Sequence, residues 1–288
     1  MFFQEGWPTM IKEIKVNLYR VFRSKSFYII VSILIIGALL SSLLLKFCAD
    51  DPFQFFSEFS KEIMEGVTDE EERATYGSLL SSIDRFREMN NLTGVMRLSV
   101  CSELVCFLHC IFVSLFVAGE FKSRFHVNHY SLTADPGKIV FLEWLTLISV
   151  IILVEVVCYC AALGLAVALC NTFTFDDVSQ MLGCGAIMLG VIIAHSSFAF
   201  MISYIRKASP LAIVLSSLFT FGVLDLVFAI GSIWIPWFQY LALNSTVSAL
   251  GLLTMQQTEM IGVGIAIVGY IAVFLSITMV VAAKRDPY

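Results

Sequence analysis

Long apolar runs separated by short polar stretches dominate the chain. Phe27 to Leu45 is 19 residues without a charge, and Ile261 to Ala283 is 23. A helix of about 20 apolar residues spans the hydrocarbon core of a bilayer. The pattern predicts an all-α polytopic membrane protein, a single transmembrane domain over 1–288. We expect six spans, at 26–46, 97–119, 139–165, 181–204, 210–232 and 260–283.

The segment before the first span has the period of an amphipathic helix, predicted at 9–25. Its apolar positions fall on one face; they are Ile11, Ile14, Leu18, Val21 and Phe22. The opposite face carries Lys12, Lys15, Tyr19 and Arg23. A helix of this kind lies in the membrane interface. It either only anchors the chain or also contacts a cytosolic subunit.

Composition and charge give the expected orientation. The chain is 58% hydrophobic and 14% charged, whereas soluble domains carry about 25% charged residues. Basic residues concentrate on the cytosolic side of membrane proteins, and 12 of the 18 bases fall on one predicted side. These are Lys12, Lys15, Arg20, Arg23, Lys25, Lys122, Arg124, Lys138, Arg206, Lys207, Lys284 and Arg285. We therefore expect a multi-pass protein of the cell membrane with both termini in the cytosol.

The segment 48–97 is the one sizeable aqueous part that the pattern predicts, and it falls on the extracytoplasmic side. It holds 11 acids against five bases. Two amphipathic stripes fit it, the second after a capping box at Thr68 to Glu71. The pattern predicts two helices packed as a small cap, too short for a domain with its own large core.

Motifs for catalysis are absent from the sequence. It has no Gly-x-x-x-x-Gly-Lys phosphate loop, no His-Glu-x-x-His and no Gly-x-Ser-x-Gly. Glu70-Glu71-Glu72-Arg73 is similar to the paired glutamates of CAAX-type intramembrane proteases, but it lies in the polar outer segment rather than in a span. We expect no catalytic residue and no metal site, and an enzyme is the least favoured class.

Ionisable residues inside predicted spans are costly and often functional. Six such residues occur, namely Glu103, His109, Glu143, Glu155, His195 and Asp225. Glu143 lies near the cytosolic surface, where Lys138 or Arg206 could pair with it. Glu155 and Asp225 lie deeper and are the candidates for a substrate or proton role. Either is protonated or paired with His109 or His195.

Five of the eight cysteines lie inside apolar runs and are expected to be buried thiols; they are Cys101, Cys106, Cys110, Cys158 and Cys160. The spacing of Cys158 and Cys160 does not suit a zinc or redox pair. Cys170 and Cys184 lie near predicted span ends, and the spacing leaves a bridge between them open.

The polar stretch from Glu120 to Lys138 interrupts the apolar pattern on the predicted cytosolic side. Before it, the basic segment 19–27 leads into span one, and span two ends in Val117-Ala118-Gly119-Glu120-Phe121. After it, Asp135-Pro136-Gly137-Lys138 re-enters span three. This order of parts resembles the permease subunit of a type-2 ATP-binding-cassette (ABC) transporter over nearly the whole chain. Glu120 matches the acid that ends span two in that family, and Pro136 and Lys138 match its proline and following base. The family's Gly-Thr is missing, and Arg124-Phe125 stand near its place.

The resemblance implies a coupling helix within 120–138 that docks on a separate cytosolic ABC ATPase subunit. The ATPase would bind ATP and Mg, so this chain would carry no cofactor and no enzyme activity. A second permease chain, the same or a sister, would complete a dimer in membrane lipid, and no nucleic acid is expected as a partner. The implied activity is export of an amphipathic peptide, a drug or a lipid-like substrate. The implied contact residues are Glu120, Phe121, Lys122, Arg124, Phe125, Tyr130, Pro136 and Lys138.

Two alternatives stay open. The segment 120–138 could be a solvated basic loop that only sets topology. The chain could also be a membrane sensor or scaffold that reads signals through the outer segment 48–97 and transports nothing.

Overall fold

The computed structural model describes residues 7–49, 91–123, 136–170, 173–175, 178–207, 209–251 and 257–284. Within these ranges the chain is helical, and the sole β-type pairing is an isolated bridge between Asn91 and Thr174. Most of the predicted outer cap lies outside the described residues, as do the bases and aromatics predicted in the middle of the coupling segment.

The described helices follow the apolar runs closely. They are α1 (Trp7–Arg23), α2 (Lys25–Ala49), α3 (Leu92–Ser99), α4 (Glu103–Lys122), α5 (Pro136–Leu169), α6 (Val178–Arg206), α7 (Ser209–Thr220), α8 (Val223–Ser232), α9 (Leu243–Gly251) and α10 (Gln257–Lys284). Six segments of this part of the chain are long and apolar enough to cross a membrane. The prediction of an all-α protein with six membrane-spanning helices is confirmed.

The N-terminal helix α1 buries a narrower face than predicted. Asn17 and Val21 are buried, whereas Ile11 and Phe22, both expected on the apolar face, are 46% and 41% exposed. The apolar stripe of α1 is wider than the surface that packs on the protein. Exposed apolar side chains on such a helix suit a lipid interface.

The second predicted span is shorter at its start. Val100 to Ser102 interrupt the helix, and the Ser102 side chain accepts a hydrogen bond from Leu104 N at 3.2 Å as the N-cap of α4. The residues before the break form the separate helix α3. Arg97, the first residue of the predicted span, therefore lies in α3 and not in a spanning helix.

The third span starts earlier than predicted, at Pro136. Proline suits the first turn of a helix because the N–H that it lacks would have no partner there. Pro136 and Lys138 therefore belong to the first turn of α5.

The fifth span is broken. Gly222 has a φ of +78° and separates α7 from α8. A Cβ at this glycine would lie 2.7 Å from Asn244 Nδ2. Both the left-handed conformation and the close approach of Asn244 require glycine here. After α8, a 3-10 helix (Pro236–Leu241) that carries Trp237, Phe238 and Tyr240 is followed by α9 and then α10.

The chain divides into two compact units. Unit 1 comprises Met1–Leu34, Cys101–Glu155 and Ala186–Tyr288, and unit 2 comprises Ile35–Val100 and Val156–Gly185. This division does not test the expectation of one transmembrane domain over 1–288, which stays a prediction. Leu147, Ile151, Met188, Ile192 and Phe200 are fully buried in unit 1.

Candidate functional site

Four polar side chains meet at one end of the helices of unit 1. Arg20 comes from α1, Glu120 from the last turn of α4, Glu143 from the start of α5 and Tyr204 from the end of α6. We call these four residues the polar cluster. Glu120, Glu143 and Tyr204 are 2%, 2% and 1% exposed. Such burial of two carboxyl groups is costly unless both are hydrogen-bonded or paired.

The first link of the polar cluster is an ion pair. Arg20 Nη1 pairs with Glu120 Oε1, and the side chains are 20% and 2% exposed. The guanidinium carbon also lies 5.6 Å from the centre of the Phe116 ring. Arginine combines these contacts well because its planar guanidinium binds a carboxylate and also lies favourably over a ring. The pair fixes α1 against the end of α4.

The second link joins the two acids and a tyrosine. The Tyr204 hydroxyl donates to Glu143 Oε2, and the carboxyl groups of Glu143 and Glu120 lie close enough to interact. Glu143 thus links α5 to Glu120 at the end of α4, and Tyr204 extends the link to α6.

Aromatic side chains surround the polar cluster. The rings of Phe121 and Tyr204 meet edge to face at 5.3 Å, and Phe200 lies 4.8 Å from Tyr204. Lys207 Nζ lies 5.7 Å from the centre of the Phe121 ring. Low-polarity surroundings strengthen hydrogen bonds and ion pairs. The ends of α4, α5 and α6 and the helix α1 are thus joined through polar contacts in an apolar setting.

The predicted contact residues of the coupling segment divide into three groups. Glu120 and Phe121 belong to the polar cluster or touch it, and Lys122 is exposed at the end of α4. Pro136 and Lys138 begin α5. Arg124, Phe125 and Tyr130, and with them the predicted coupling helix, lie outside the described residues.

The sequence did not single out Arg20 and Tyr204 as partners of these acids. For Glu143 it suggested Lys138 or Arg206, and this stays a prediction; the structure adds the Tyr204 hydroxyl and the Glu120 carboxyl. One signal was available. An acid that ends span two and an acid one turn into span three must lie at the same side of the membrane.

A second polar pair lies deeper in unit 1. His109 Nε2 is 2.5 Å from Glu155 Oε1, and both side chains are almost fully buried. His109 also lines a small apolar cavity with Phe27, Phe112, Ile151 and others. The sequence suggested His109 or His195 as the partner of Glu155, and in the structure His109 is the partner. The ring of the other, His195, bonds instead to Val191 O at 2.9 Å.

Asp225, the other deep acid, has a local structural partner. Its Oδ2 accepts a hydrogen bond from Ser245 N at 2.8 Å, a backbone donor in the first turn of α9. A carboxylate at this place satisfies an otherwise unpaired N–H and complements the helix dipole. The break at Gly222 puts Asp225 at the beginning of α8, in contact with α9, rather than midway along a continuous span.

Among the described residues, no group of three or more His, Cys, Asp or Glu side chains could hold a metal ion. Neither Cys170 nor Cys184 takes part in a disulfide. The structure therefore does not form the bridge that the spacing left open.

Comparisons with models of protein families, with curated proteins and with solved structures found no match for this chain.

Proposed function

We propose that this chain is the permease subunit of a type-2 ABC transporter. In this proposal the side of the membrane that carries α1 and the polar cluster is cytosolic. Two permease chains pair in the cell membrane, and two separate ATPase subunits bind beneath them with ATP and Mg. The direction is export, and the substrate is an amphipathic peptide, a drug or a lipid-like molecule.

The orientation rests on the distribution of charge. The ends of the spans on the α1 side carry 12 of the chain's 18 bases, and basic residues are retained in the cytosol. A cytosolic α1 side brings the segment between α4 and α5 within reach of a cytosolic partner.

The observation that carries the proposal is the polar cluster. A coupling segment between α4 and α5 needs a stiff connection to the spans if it is to act as a lever. The cluster supplies one, because Glu120 at the end of α4 bonds to α1 through Arg20 and to α5 through Glu143. Tyr204 extends the connection to α6.

The proposed mechanism follows from these links. ATP closes the ATPase pair, and the closure displaces the segment that leaves α4. A side chain that is buried and bonded on several sides cannot shift alone, so α1 and the starts or ends of α5 and α6 move with Glu120. Packed helices respond to such a push by small rigid shifts. Repeated at the second permease chain, these shifts would open a path for the substrate.

Affinity purification of the full-length chain in mild detergent tests the proposal. We expect an ATPase with a phosphate loop to co-purify, together with a second permease chain. If a signalling protein co-purified and no ATPase did, the result would favour the sensor or scaffold alternative. Hydrolytic activity of the chain alone would favour an enzyme.

Two sets of variants separate docking from transmission. Phe125→Ala with Tyr130→Ala should reduce both ATPase co-purification and transport, because these aromatics are proposed to anchor the coupling segment. Arg20→Ala should leave co-purification intact and reduce transport, because it breaks the link to α1 away from the docking surface. Lys12→Ala, an exposed base on the same helix, is the matched control. Unchanged docking and transport in the Phe125 and Tyr130 variant would rule out the coupling role.

A further inference from the structure

Arg97 in unit 2 is buried, and no described residue supplies it with a counter-charge. Its side chain is 4% exposed, and Nε has no hydrogen-bond partner. The one hydrogen bond that the described structure gives its guanidinium joins Nη2 to the thiol of Cys184 at 4.0 Å. Sulfur is a weak acceptor and this distance is long. A guanidinium keeps its charge in proteins, so Arg97 bears a buried positive charge with almost no compensation.

The described residues of unit 2 offer Arg97 no carboxylate. The described ranges of unit 2 are 35–49, 91–100, 156–170, 173–175 and 178–185, and they contain neither Asp nor Glu. An ordered water could accept one of the free N–H groups, but it would not neutralise the charge. A buried ion needs a partner of opposite charge to offset its loss of hydration.

The backbone that carries Arg97 is held firmly. Asn91 caps α3 by accepting from Gly94 N at 2.7 Å, and it forms the isolated bridge with Thr174. The Tyr159 hydroxyl lies 3.3 Å from Leu92 O. Helix α3 is therefore fixed at its beginning by the segment 173–175 and by α5.

A glycine fixes the other side of α3. A Cβ at Gly185 of α6 would lie 2.7 Å from Met96 Cε and 2.9 Å from its sulfur. The absence of a side chain lets Met96 pack against α6 and brings the neighbouring Arg97 to Cys184. The guanidinium is thus pre-positioned, which favours binding because little rotamer freedom is lost when a ligand arrives.

We propose that Arg97 is the anchor of an anion-binding site that takes a phosphate group. The free Nε and the weakly bonded Nη2 form the edge of the guanidinium fork, and this edge matches two oxygens of a phosphate. The phosphate belongs either to the headgroup of an anionic lipid or to a soluble molecule. The site goes beyond the proposed transport function and does not depend on it.

Thermal unfolding of the purified full-length protein tests this site. The protein is washed in a neutral maltoside detergent until less than one phosphate per chain remains. The unfolding midpoint is then measured with potassium phosphate and with potassium chloride at equal ionic strength. A second arm compares mixed micelles that carry phosphatidylglycerol with micelles that carry uncharged diacylglycerol. A ligand that binds the folded state raises the midpoint in a saturable way.

We expect the midpoint of the wild type to rise in at least one of the two arms. A rise with potassium phosphate identifies a soluble phosphate as the ligand, and a rise with phosphatidylglycerol alone identifies a lipid headgroup. Arg97→Met should abolish the rise. Arg97→Lys should weaken the apparent affinity at least tenfold, because a lysine keeps the charge but loses the fork. Arg206→Met, which removes an exposed arginine of α6, should respond as the wild type does.

Three results would overturn the proposal. The first is no rise for the wild type in either arm. The second is a rise of equal size in the wild type and Arg97→Met. The third is that Arg97→Met is less stable than the washed wild type, since the guanidinium would then already be paired by a carboxylate of the chain itself.

Discussion

Arg20 and Arg97 present the same chemical group in opposite situations. Arg20 keeps 20% of its side chain exposed and pairs with Glu120. Arg97 is 4% exposed and has a thiol as its hydrogen-bond partner in a unit whose described residues lack acids. The paired arginine connects helices of the same chain. The unpaired one retains binding capacity that a partner from outside can use. Comparing them shows that burial of a charge says little about its role until its partners are known.

The largest effect should come from removing the acid of the Arg20 pair. Glu120→Ala takes away the ion pair with Arg20 and the contact with Glu143 together. Breaking a buried pair from one side costs about 3–5 kcal/mol. We expect the lower end, about 3 kcal/mol, because Arg20 can turn toward solvent.

Chemical unfolding in mixed detergent micelles measures this loss. The matched control is Lys122→Ala, which changes an exposed side chain two residues after Glu120 in α4. It should change the free energy of unfolding by less than about 0.5 kcal/mol. Equal losses in the two variants would mean that the Arg20–Glu120 pair does not hold α1 to α4.

The second prediction compares the two arginines directly. Arg20→Met should destabilise the protein by about 2 kcal/mol, less than the usual loss for a broken buried pair, because the stranded carboxyl of Glu120 can take up a proton. Arg97→Met should instead stabilise the washed protein by about 1–2 kcal/mol, since replacing a poorly compensated buried charge by an apolar side chain is favourable. Unfolding free energies of the two variants, measured side by side, should have opposite signs. If both variants changed the free energy of unfolding in the same direction, the contrast between a paired Arg20 and an uncompensated Arg97 would be wrong.

A smaller loss is expected at Tyr204. Tyr204→Phe removes the hydroxyl that donates to Glu143 and keeps the ring contacts. The loss of one hydrogen bond to a buried carboxyl should cost about 1.5 kcal/mol. Tyr19→Phe is the matched control because Tyr19 is exposed and its hydroxyl bonds only to a neighbouring side chain of α1 among the described residues. A loss in the control as large as in Tyr204→Phe would contradict the role of the polar cluster.

The smallest predicted change in stability concerns Gly185, against which Met96, the neighbour of Arg97, packs. Gly185→Ala forces Met96 to move and should cost about 1 kcal/mol, since the obstructing atoms are the end of a flexible side chain. Gly183→Ala, in the same helix with nothing within 4 Å, should instead stabilise by about 0.5–1 kcal/mol through helix propensity. Thermal midpoints of the two variants should move in opposite directions. A gain in both would mean that Gly185 is not needed for the packing of α3 on α6.

The local pattern of the sequence was sufficient for the fold class. An uncharged run such as 27–45 has no alternative in a bilayer but a helix, because every backbone N–H and C=O must be paired within the segment. The basic residues similarly suggested which helix ends share a side. The pattern was insufficient at interruptions. Val100 to Ser102 and Gly222 are apolar or small, so hydropathy continues through them although the helices do not.

Partners of the buried polar groups could not be read from the sequence. The acids at 120, 143, 155 and 225 were recognisable because charge inside an apolar run is rare. Their contacts depend on which helices pack together and on the rotation of each helix. Asp225 shows this dependence, since its hydrogen-bond donor is a backbone N–H of α9, 20 residues further along.

The sequence by itself determined the apolar spans, their number and the positions where charge enters them, because these follow from composition and from the need to pair backbone groups in lipid. Only the tertiary structure decided what each buried charge meets. It brought Arg20, Glu120, Glu143 and Tyr204 together in one cluster, and it placed Arg97 beside the thiol of Cys184. The physical reason is that a counter-charge acts over a few ångströms, and distances of that size between helices are set by packing rather than by position along the chain.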